Sequence, residues 1–322
     1  VTDPVLGTST DADGRFVLRD VPLGRHDIRV SFVGYETATL EEVLVTSGKE
    51  VVLRVALHEQ VLAGGNLVIT PDWRKDRPLN EMAVVSARSF SVEETRRYAG
   101  GVDDPARMAS AFAGVTAGMG VETNALTIRG NAPKGVQWRL EGVEIPNPNH
   151  FAGLNVAGGG GVTLFSSQLL DDSDFLAGAF PAEYGNALAG VFDMRFRSGN
   201  PTQREHTFQA GLLGIEVASE GPFDRDGTSA YLFNYRYSTL GLLLPLLPTE
   251  DVARYQDLSF NLSFPTRRWG RFEVWGLGGL DGQTMAEESD SSRWEYEIWD
   301  RTNMDLRLGV GATGLNHHLA VG

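Results

Sequence analysis

The stretch LTIRGNAPKGVQWRLEGVEIPNPNH, residues 126–150, decides how the chain is interpreted. It places two Arg, one Lys, three Gly and three Pro between short apolar runs, which would suit a phosphate-binding loop, a catalytic loop or a series of turns. A phosphate-binding loop is followed directly by the start of a helix, and no helical pattern follows Lys134. The Gly and Pro residues are therefore predicted to form turns between short strands.

The composition of the whole chain narrows the class of protein. With 322 residues, 42% of them apolar, the chain is long enough for two or more domains and is not mainly disordered. The formal net charge of −14 argues against nucleic-acid binding, because no basic run offers contacts to phosphates. The absence of Cys excludes disulfides, Cys-ligated zinc and thiol catalysis. No run reaches the roughly 18 apolar residues of a spanning helix, whereas a membrane β-barrel stays compatible with the pattern.

The chain lacks the motifs of common enzyme classes. No G-x-S-x-G and no G-x-x-x-x-G-K-[ST] occurs, and no histidine has the spacing of a metalloprotease. The histidines are therefore expected to be ordinary surface or lumen residues: His26, His58, His150, His206, His317 and His318. We expect a protein that is not an enzyme and that binds no cofactor and no metal.

The first part of the chain, residues 1–60, alternates short β-type runs with turns. In HDIRVSFVGYE, Ile28, Val30 and Phe32 alternate with polar residues, the period of a half-buried strand. This predicts a small β-sandwich, which begins without a preceding strand and is expected to be truncated at its N-terminus. Residues 61–78 are predicted to be a linker whose one apolar island can add as a strand to another protein's sheet. The island consists of Leu67, Val68, Ile69 and Thr70.

The middle of the chain, residues 79–200, is predicted to be a mixed α+β domain. Ser91 and Glu94 form a capping box. Asp103 or Asp104 precedes Pro105, the favoured order at a helix start. Short strands separated by Gly-rich connections follow.

The last part, residues 201–322, shows the clearest alternation. It is strongest in YLFNYRYS (231–238), LSFNLSF (258–264) and MDLRLGVGATG (304–314). Strands of about ten residues with one apolar and one polar face match a barrel wall, apolar towards lipid and polar towards a lumen. About five or six such strands fit into this part of the chain.

Four short motifs resemble, in order, those of the plug domain of TonB-dependent outer-membrane receptors. That family shows I-R-G, then a turn similar to D-G-V-P, then A-E-Y-G and S-G-V before the barrel. The departures here are Glu141 in place of Asp, and Phe192-Asp193 in place of a more apolar pair. The matching plug-motif positions are Arg129, Gly130, Glu141, Gly142, Val143, Glu183, Tyr184, Gly185 and Gly190.

The resemblance extends outward from these motifs. Residues 1–60 are similar to the carboxypeptidase-regulatory-like β-sandwich that precedes many such plugs. The expected fold is mainly β with a small α+β part: sandwich (1–60), linker (61–78), plug (79–200) and the first strands of an incomplete antiparallel transmembrane barrel (201–322). A barrel of about 22 strands has a lumen wide enough to need a plug. The chain is therefore expected to continue beyond Gly322 and to be unable to insert or transport alone.

The resemblance also implies a function. Such receptors lie in the bacterial outer membrane, with the N-terminal domain and linker in the periplasm. They take up a nutrient, here a siderophore, cobalamin, glycan or peptide, by plug movement driven through TonB and its inner-membrane energising complex. The island Leu67 to Thr70 stands where the TonB box lies. Arg129 is a candidate for a buried ion pair with a barrel Glu, or else it stabilises a turn.

Two alternatives stay open at this point. One is a receptor of the same class that is coupled to a surface lipoprotein partner. The other is a secreted adhesion or carbohydrate-binding β-sandwich module. An adhesin would repeat sandwiches, whereas residues 79–200 carry a mixed α+β pattern. Partners other than outer-membrane lipid and TonB are not specified by the sequence, and nucleic acid is not expected among them.

Overall fold

The structure is a computed structural model that describes residues 6–11, 14–47, 49–53, 55, 57, 78–80, 82–83, 86–90, 104–118, 123–154, 156–211, 214–223, 229–239, 252–266, 268–294 and 300–319. It divides into two compact units, Val1–Arg74 and Lys75–Gly322, so that the boundary falls within the predicted linker. The apolar island Leu67 to Thr70 and the capping box at Ser91 and Glu94 lie outside the described residues.

In the first unit, strands β1 (Gly24–Val30) and β2 (Ala38–Val45) form an antiparallel pair. Side chains in β1 alternate between half-buried and exposed, as the sequence predicts. The predicted alternation does not continue beyond Val30, where β1 ends. Phe32 is 65% exposed, and its ring packs against that of Tyr35 with the ring centres 5.5 Å apart. The predicted sandwich is thus represented, among the described residues, by this two-stranded sheet.

In the second unit, residues 79–200, called here the central segment, contain one short α-helix, one turn of 3-10 helix (Pro133–Gly135) and nine short strands among the described residues. Five strands form a mixed sheet in the order β3-β10-β11-β6-β7, in which β11 runs parallel to β6. Helix α1 begins as the sequence predicts, since the side chain of Asp104 accepts a hydrogen bond from the backbone N–H of Ala106 at 2.8 Å. The elements are β3 (Ala87–Phe90), α1 (Pro105–Ala109), β4 (Val115–Ala117), β5 (Leu126–Ile128), β6 (Val136–Leu140), β7 (Val143–Ile145), β8 (Asn149–His150), β9 (Val162–Thr163), β10 (Ser173–Leu176) and β11 (Gly190–Met194).

The core of the central segment is apolar and aromatic. The ring of Trp138 on β6 stacks on Phe192 of the neighbouring β11, with centres 4.4 Å apart and planes 9° apart. Phe175 on β10 packs against the same Phe192 at 4.7 Å. All three rings are at least 95% buried, so each side chain contributes its hydrophobic area almost in full.

The rest of the second unit is a six-stranded antiparallel sheet whose strands pair in the order of the sequence. Its strands are β12 (Glu205–Ala210), β13 (Gly214–Pro222), β14 (Ala230–Ser238), β15 (Val252–Thr266), β16 (Gly270–Met285) and β17 (Met304–His318). The mainly β fold predicted from the sequence is confirmed. In the part of the chain that the structure describes, no helix has the length and apolar character needed to cross a membrane.

The two faces of this sheet differ in character. The face that contacts the central segment, called here the inner face, carries buried polar side chains between Leu232, Trp275 and Leu277. These polar residues are Glu220, Asn234, Asp257, Ser259, Asn261, Ser263, Glu273 and Asp281. The opposite, outer face exposes large apolar side chains, among them Phe208, Val217, Phe233, Tyr237, Leu258 and Leu280.

Strand β17 departs from the predicted arrangement. The sequence predicts that its apolar residues point towards lipid, like those of β14 and β15. In the structure Leu308 lies opposite Asp281 and Ala312 lies opposite Leu277, which places the apolar residues of β17 on the inner face. The reason is register, because directly opposed residues of antiparallel strands share one face of the sheet. The outer face of β17 accordingly carries Asp305 and Arg307.

Candidate functional site

The candidate site is the contact between the central segment and the inner face of the sheet, and His150 stands at its centre. His150 ends the short strand β8, which pairs with β9. Its Nε2 lies 2.8 Å from Oδ2 of Asp257 on β15, and its Nδ1 contacts Oδ1 of Asp281 on β16. The side chains of His150, Asp257 and Asp281 are 0%, 0% and 3% exposed. A ring from the central segment is thus held between carboxylates of two neighbouring strands.

The second oxygen of each carboxylate also has a partner. The backbone N–H of Phe151 donates to Oδ2 of Asp281 at 2.8 Å. Arg236 on β14 donates from Nε to Oδ1 of Asp257 at 2.9 Å. The same guanidinium donates from Nη2 to the backbone oxygen of Thr163 at 2.6 Å, which ties β14 to β9. His150 and Arg236 therefore supply two cationic groups to a pair of aspartates.

The protonation of His150 follows from this environment. Burial on its own would lower the pKa of the imidazole, because it disfavours the charged form. The hydrogen bonds to Asp257 and Asp281 and the charges of these carboxylates outweigh burial and raise the pKa of His150 above its ordinary value. The folded protein therefore favours the charged imidazolium more than an exposed histidine would.

A second ionic contact lies near the end of the central segment. Arg197 donates from Nη1 and Nη2 to the two carboxylate oxygens of Glu220 on β13, at 2.5 and 2.6 Å. Glu220 also accepts the backbone N–H of Asn200 at 3.0 Å. The backbone next to these residues approaches the sheet so closely that a Cβ on Gly199 would collide with the backbone oxygen of Tyr231. Because Arg197 binds both carboxylate oxygens of Glu220, the pair fixes both the distance and the orientation between the central segment and β13.

Further hydrogen bonds join the two ionic contacts. Ser166 donates to Oε1 of Glu216 on β13 at 2.5 Å, and Asn234 donates to the same oxygen at 2.6 Å. Asn261 on β15 donates to the backbone oxygen of Arg197 at 3.1 Å. The contact therefore spans β13 to β16 as one polar seam.

The predicted plug-motif residues Arg129 and Gly130 form a turn. Both have positive φ, 50° and 80°, and Ile128 and Asn131 exchange backbone hydrogen bonds across them, as in a two-residue hairpin turn. The side chain of Arg129 is exposed and donates from Nη2 to Oγ of Ser86 at 2.7 Å. The buried ion pair hypothesised for Arg129 is therefore wrong for the described residues, because a turn at the end of a hairpin directs this side chain to the surface. Arg197 makes such a pair instead.

Glu141 and Gly142 form a second turn of the same kind between β6 and β7, with φ values of 52° and 79°. A carboxylate oxygen of Glu141 accepts the backbone N–H of Phe196 at 2.5 Å, and its backbone oxygen accepts Nδ2 of Asn316 at 3.0 Å. Burial raises the pKa of the Glu141 carboxyl to about 7. Val143, which begins β7, is 47% exposed.

The remaining motif residues cluster around Tyr184. The hydroxyl of Tyr184 donates to Oδ2 of Asp193 at 2.8 Å and accepts Nδ2 of Asn80 at 2.7 Å. Burial raises the pKa of the Tyr184 hydroxyl above its ordinary value. Glu183 contacts the same Asn80 amide. Tyr184 and Glu183 thus attach the residues that directly follow the linker to the central segment.

The two glycines of the last motifs differ in their surroundings, because a Cβ on Gly185 would meet open space whereas one on Gly190 would not. The backbone oxygen of Gly185 accepts Nε2 of Gln137 at 2.6 Å. Gly190 begins β11, where a Cβ would collide with Cδ1 of Ile128. The structure therefore brings Glu183, Tyr184, Gly185 and Gly190 together around β6 and β11. Arg139 on β6 links this cluster to the second turn, because it donates to the backbone oxygens of both Glu183 and Gly142.

Sequence reasoning missed the residues of the seam. It treated His150 as an ordinary surface or lumen histidine, and this was wrong, because the ring is fully buried between two aspartates. One feature of the sequence could have indicated these residues: Asp257 and Asp281 are acidic residues inside strands that otherwise alternate regularly. Within the described ranges no three His, Asp or Glu side chains are placed to hold a metal ion.

Comparisons with solved structures find proteins of similar fold at low identity. They include FpvA of Pseudomonas aeruginosa bound to heterologous pyoverdines (14% identity, TM-score 0.49, 79% of this chain and 33% of that one). They also include the ferric enterobactin receptor PfeA of P. aeruginosa (14%, 0.41, 65% and 34%) and the outer membrane transporter YddB of Escherichia coli (11%, 0.45, 73% and 37%). Because all three TM-scores are below 0.5, the function proposed below rests on the residues of this chain.

The chain spans about a third of the length of each of these three proteins. Among curated proteins, none matches it. The sequence of the first unit does match a described family, over residues 1–58. This confirms the resemblance seen in the strand pattern of that part, and the chain therefore carries an N-terminal carboxypeptidase regulatory-like domain.

Proposed function

We propose that the chain is part of a TonB-dependent outer-membrane receptor that takes up a nutrient by energy-coupled movement of the central segment. The observation that carries this proposal is the inverted character of the six-stranded sheet. Its outer face exposes Phe208, Tyr237 and Leu258, while Asp257 and Asp281 are buried on its inner face against the central segment.

The inversion distinguishes a membrane wall from a soluble sheet. In a soluble antiparallel sheet with one solvated face, the apolar face packs on the core and the polar face meets water. In a membrane barrel the apolar face meets lipid and the polar face meets the lumen. The faces of strands β13 to β15 agree with the second arrangement, which supports a plug role for the central segment.

The polar seam also suits a domain that has to move. When the two surfaces separate, hydrogen bonds such as those between Arg197 and Glu220 can be replaced by hydrogen bonds to water. A purely apolar contact of the same extent would expose hydrophobic area at about 25 cal/mol per Å². Separation would also expose Leu232, Trp275 and Leu277, which share one hydrophobic cluster with the central segment. The polar seam keeps this apolar part of the contact small.

The proposed partners follow from this role. The apolar island Leu67 to Thr70 would add as a strand to the sheet of TonB, which is driven by its inner-membrane energising complex. Outer-membrane lipid would cover the outer face. The cargo would be a siderophore, cobalamin, glycan or peptide, and a glycan would bring a surface lipoprotein as a further partner. The first unit and the linker would then lie in the periplasm.

Membrane insertion is tested by placing a charge on the outer face. We expect the protein that contains this chain to fractionate with the outer membrane. Leu258→Arg should strongly reduce its amount there, because a charge facing lipid costs about 2–4 kcal/mol near the bilayer midplane. Ser289→Arg, in the exposed connection after β16, is the matched control and should have no effect. Equal membrane levels of the two variants, or a soluble wild-type protein, would contradict the proposal.

Coupling to TonB is tested by uptake. Cells that express the protein are offered labelled siderophore, cobalamin, oligosaccharide and peptide pools in hosts with and without TonB. Uptake of one pool should require TonB and should be abolished by Ile69→Pro, because proline cannot donate the backbone hydrogen bond of an added strand. Asp72→Ala is the control outside the island. Uptake by Ile69→Pro at the wild-type level would exclude the island as the TonB contact.

A further inference from the structure

The hydrogen bonds of His150 fix how many protons the seam holds. The two ring nitrogens face Oδ2 of Asp257 and Oδ1 of Asp281, and the other oxygen of each carboxylate already accepts from Arg236 or from the N–H of Phe151. An ionised carboxylate can only accept hydrogen bonds, and a neutral imidazole carries one N–H. With a neutral ring, one nitrogen lone pair would therefore face a carboxylate lone pair in a buried site.

The balance of charge leads to the same conclusion. A protonated His150 and Arg236 balance the charges of Asp257 and Asp281, while Glu216 adds negative charge beside Arg236. Loss of the proton leaves one of the two buried aspartates without a balancing cation. An uncompensated buried charge costs several kcal/mol. Strands β13 to β16 supply the other charged and titratable groups that face the imidazole or its partners: Glu216, Arg236, Tyr255, Asp257 and Asp281.

We propose that the docked position of the central segment binds one proton at His150, so that deprotonation at alkaline pH releases strands β8 and β9 from the sheet. The proton acts as a latch between the two surfaces. The latch goes beyond the proposed function. Only its consequence for transport rests on that function, namely that undocking of the central segment would release one proton from this site.

The direction of the pH dependence follows from the raised pKa of His150. A histidine whose pKa is higher in the docked state than in the undocked state stabilises docking fully below the undocked pKa, about 6.5. This contribution is lost as the pH rises through the docked pKa. Docking should therefore be tight in mildly acidic solution and weaken on the alkaline side.

The test uses a thiol on the inner face. The chain has no Cys, and Ser259 on β15 is 0% exposed and lies two residues from Asp257. Ser259→Cys in the protein that contains this chain should react slowly with a maleimide at pH 6. Its rate should rise by up to about tenfold per pH unit between the undocked pKa, about 6.5, and the docked pKa, and should level off above the docked pKa. Rates are divided by those of Ser289→Cys, an exposed position, to remove the ionisation of the thiol itself.

A variant separates protonation from structure. Asp281→Asn has nearly the same shape, can still accept the N–H of Phe151, and can donate its amide N–H to the Nδ1 of a neutral His150. Its Ser259→Cys labelling rate, after the same correction, should not change between pH 6 and pH 9. A labelling profile in this variant equal to that of the Asp281 protein would overturn the proposal.

The charge state of the His150 ring can also be measured directly, without the Asp281→Asn variant. Nitrogen-15 NMR of labelled histidines should show both nitrogens of His150 in the charged state at pH 7, with His150→Gln assigning the signal. A neutral His150 in the docked protein at pH 7 would refute the latch. None of these readouts needs cargo or TonB, so their outcome is independent of whether the transport function holds.

Discussion

The central segment and the polar seam are both buried, but they are held together by different forces. Within the central segment, Trp138, Phe175 and Phe192 pack as stacked and tilted rings. At the seam, His150 and Arg197 meet carboxylates of the six-stranded sheet. Hydrophobic packing is almost insensitive to pH, whereas ion pairs depend on protonation. The ionic part of the contact can therefore be weakened under conditions that leave the aromatic core of the central segment folded.

The largest effect on stability is expected from removing the centre of the apolar core. Phe192→Ala should lower the free energy of unfolding of the central segment by about 3–5 kcal/mol, because it leaves a cavity between Trp138 and Phe175. Denaturant titration of the detergent-solubilised protein, followed by protease cleavage of the central segment, measures the effect. Leu188→Ala, at a position 75% exposed, is the control and should be nearly neutral.

The next effect is expected at the ionic contact near the end of the central segment. Glu220→Gln should weaken docking by about 2–4 kcal/mol, because Arg197 keeps its charge and loses the carboxylate that balances it. Protease access to the seam should increase while near-UV circular dichroism of the aromatic core stays unchanged. Asp305→Asn removes the partner of Arg307, both of them largely exposed, and should change nothing measurable. Loss of the core signal in Glu220→Gln would mean that the two regions are not separable.

A smaller and pH-dependent effect is expected at Glu141. The pKa of this carboxyl is raised from 4.5 to about 7, so the folded protein binds more protons than the unfolded chain between these values. Stability should therefore fall as the pH rises from 4.5 to 7, by about 1–3 kcal/mol. Glu141→Gln should be as stable as the wild type at pH 4.5 and more stable at pH 8. Denaturation midpoints at the two pH values measure this, and a variant that is less stable at pH 8 would contradict it.

The smallest effect is expected where the linker meets the central segment. Tyr184→Phe removes one hydrogen bond to Asp193 and one from Asn80, and should cost about 1 kcal/mol. Hydrogen exchange at residues 78–80 should become faster, with little change elsewhere. Tyr237→Phe on the outer face, at a position 42% exposed, is the matched control. Unchanged exchange in Tyr184→Phe would show that Tyr184 does not hold this end.

Features set by neighbouring residues were predictable from the sequence. The alternation of β14 and β15, the cap at Asp104 and the turn glycines Gly130 and Gly142 all depend on residues within a few positions. The resemblance of residues 1–58 to a known domain was predictable for the same reason. The plug, barrel and TonB-contact assignments are predictions that the experiments above test.

Features set by long-range register were not predictable. His150 is separated from Asp257 by 107 positions and from Asp281 by 131, and nothing in the local pattern links them. The inner face of β17 depends on which residue lies opposite Asp281, and a shift of one residue would exchange its two faces. The I-R-G motif pointed to Arg129 as an ionic residue, although its turn directs the side chain to the surface, and no motif marks Arg197.

The close approach of Gly199 to Tyr231 has a mechanical consequence. Because the chain passes directly from Gly199 and Asn200 into β12, this end of the central segment stays tethered to the sheet whatever happens at the other contacts. His150 docks farther across the sheet, on β15 and β16. Displacement of the central segment would therefore be a rotation about residues 199–200. The imidazole of His150 would lie at the end that moves farthest from the sheet.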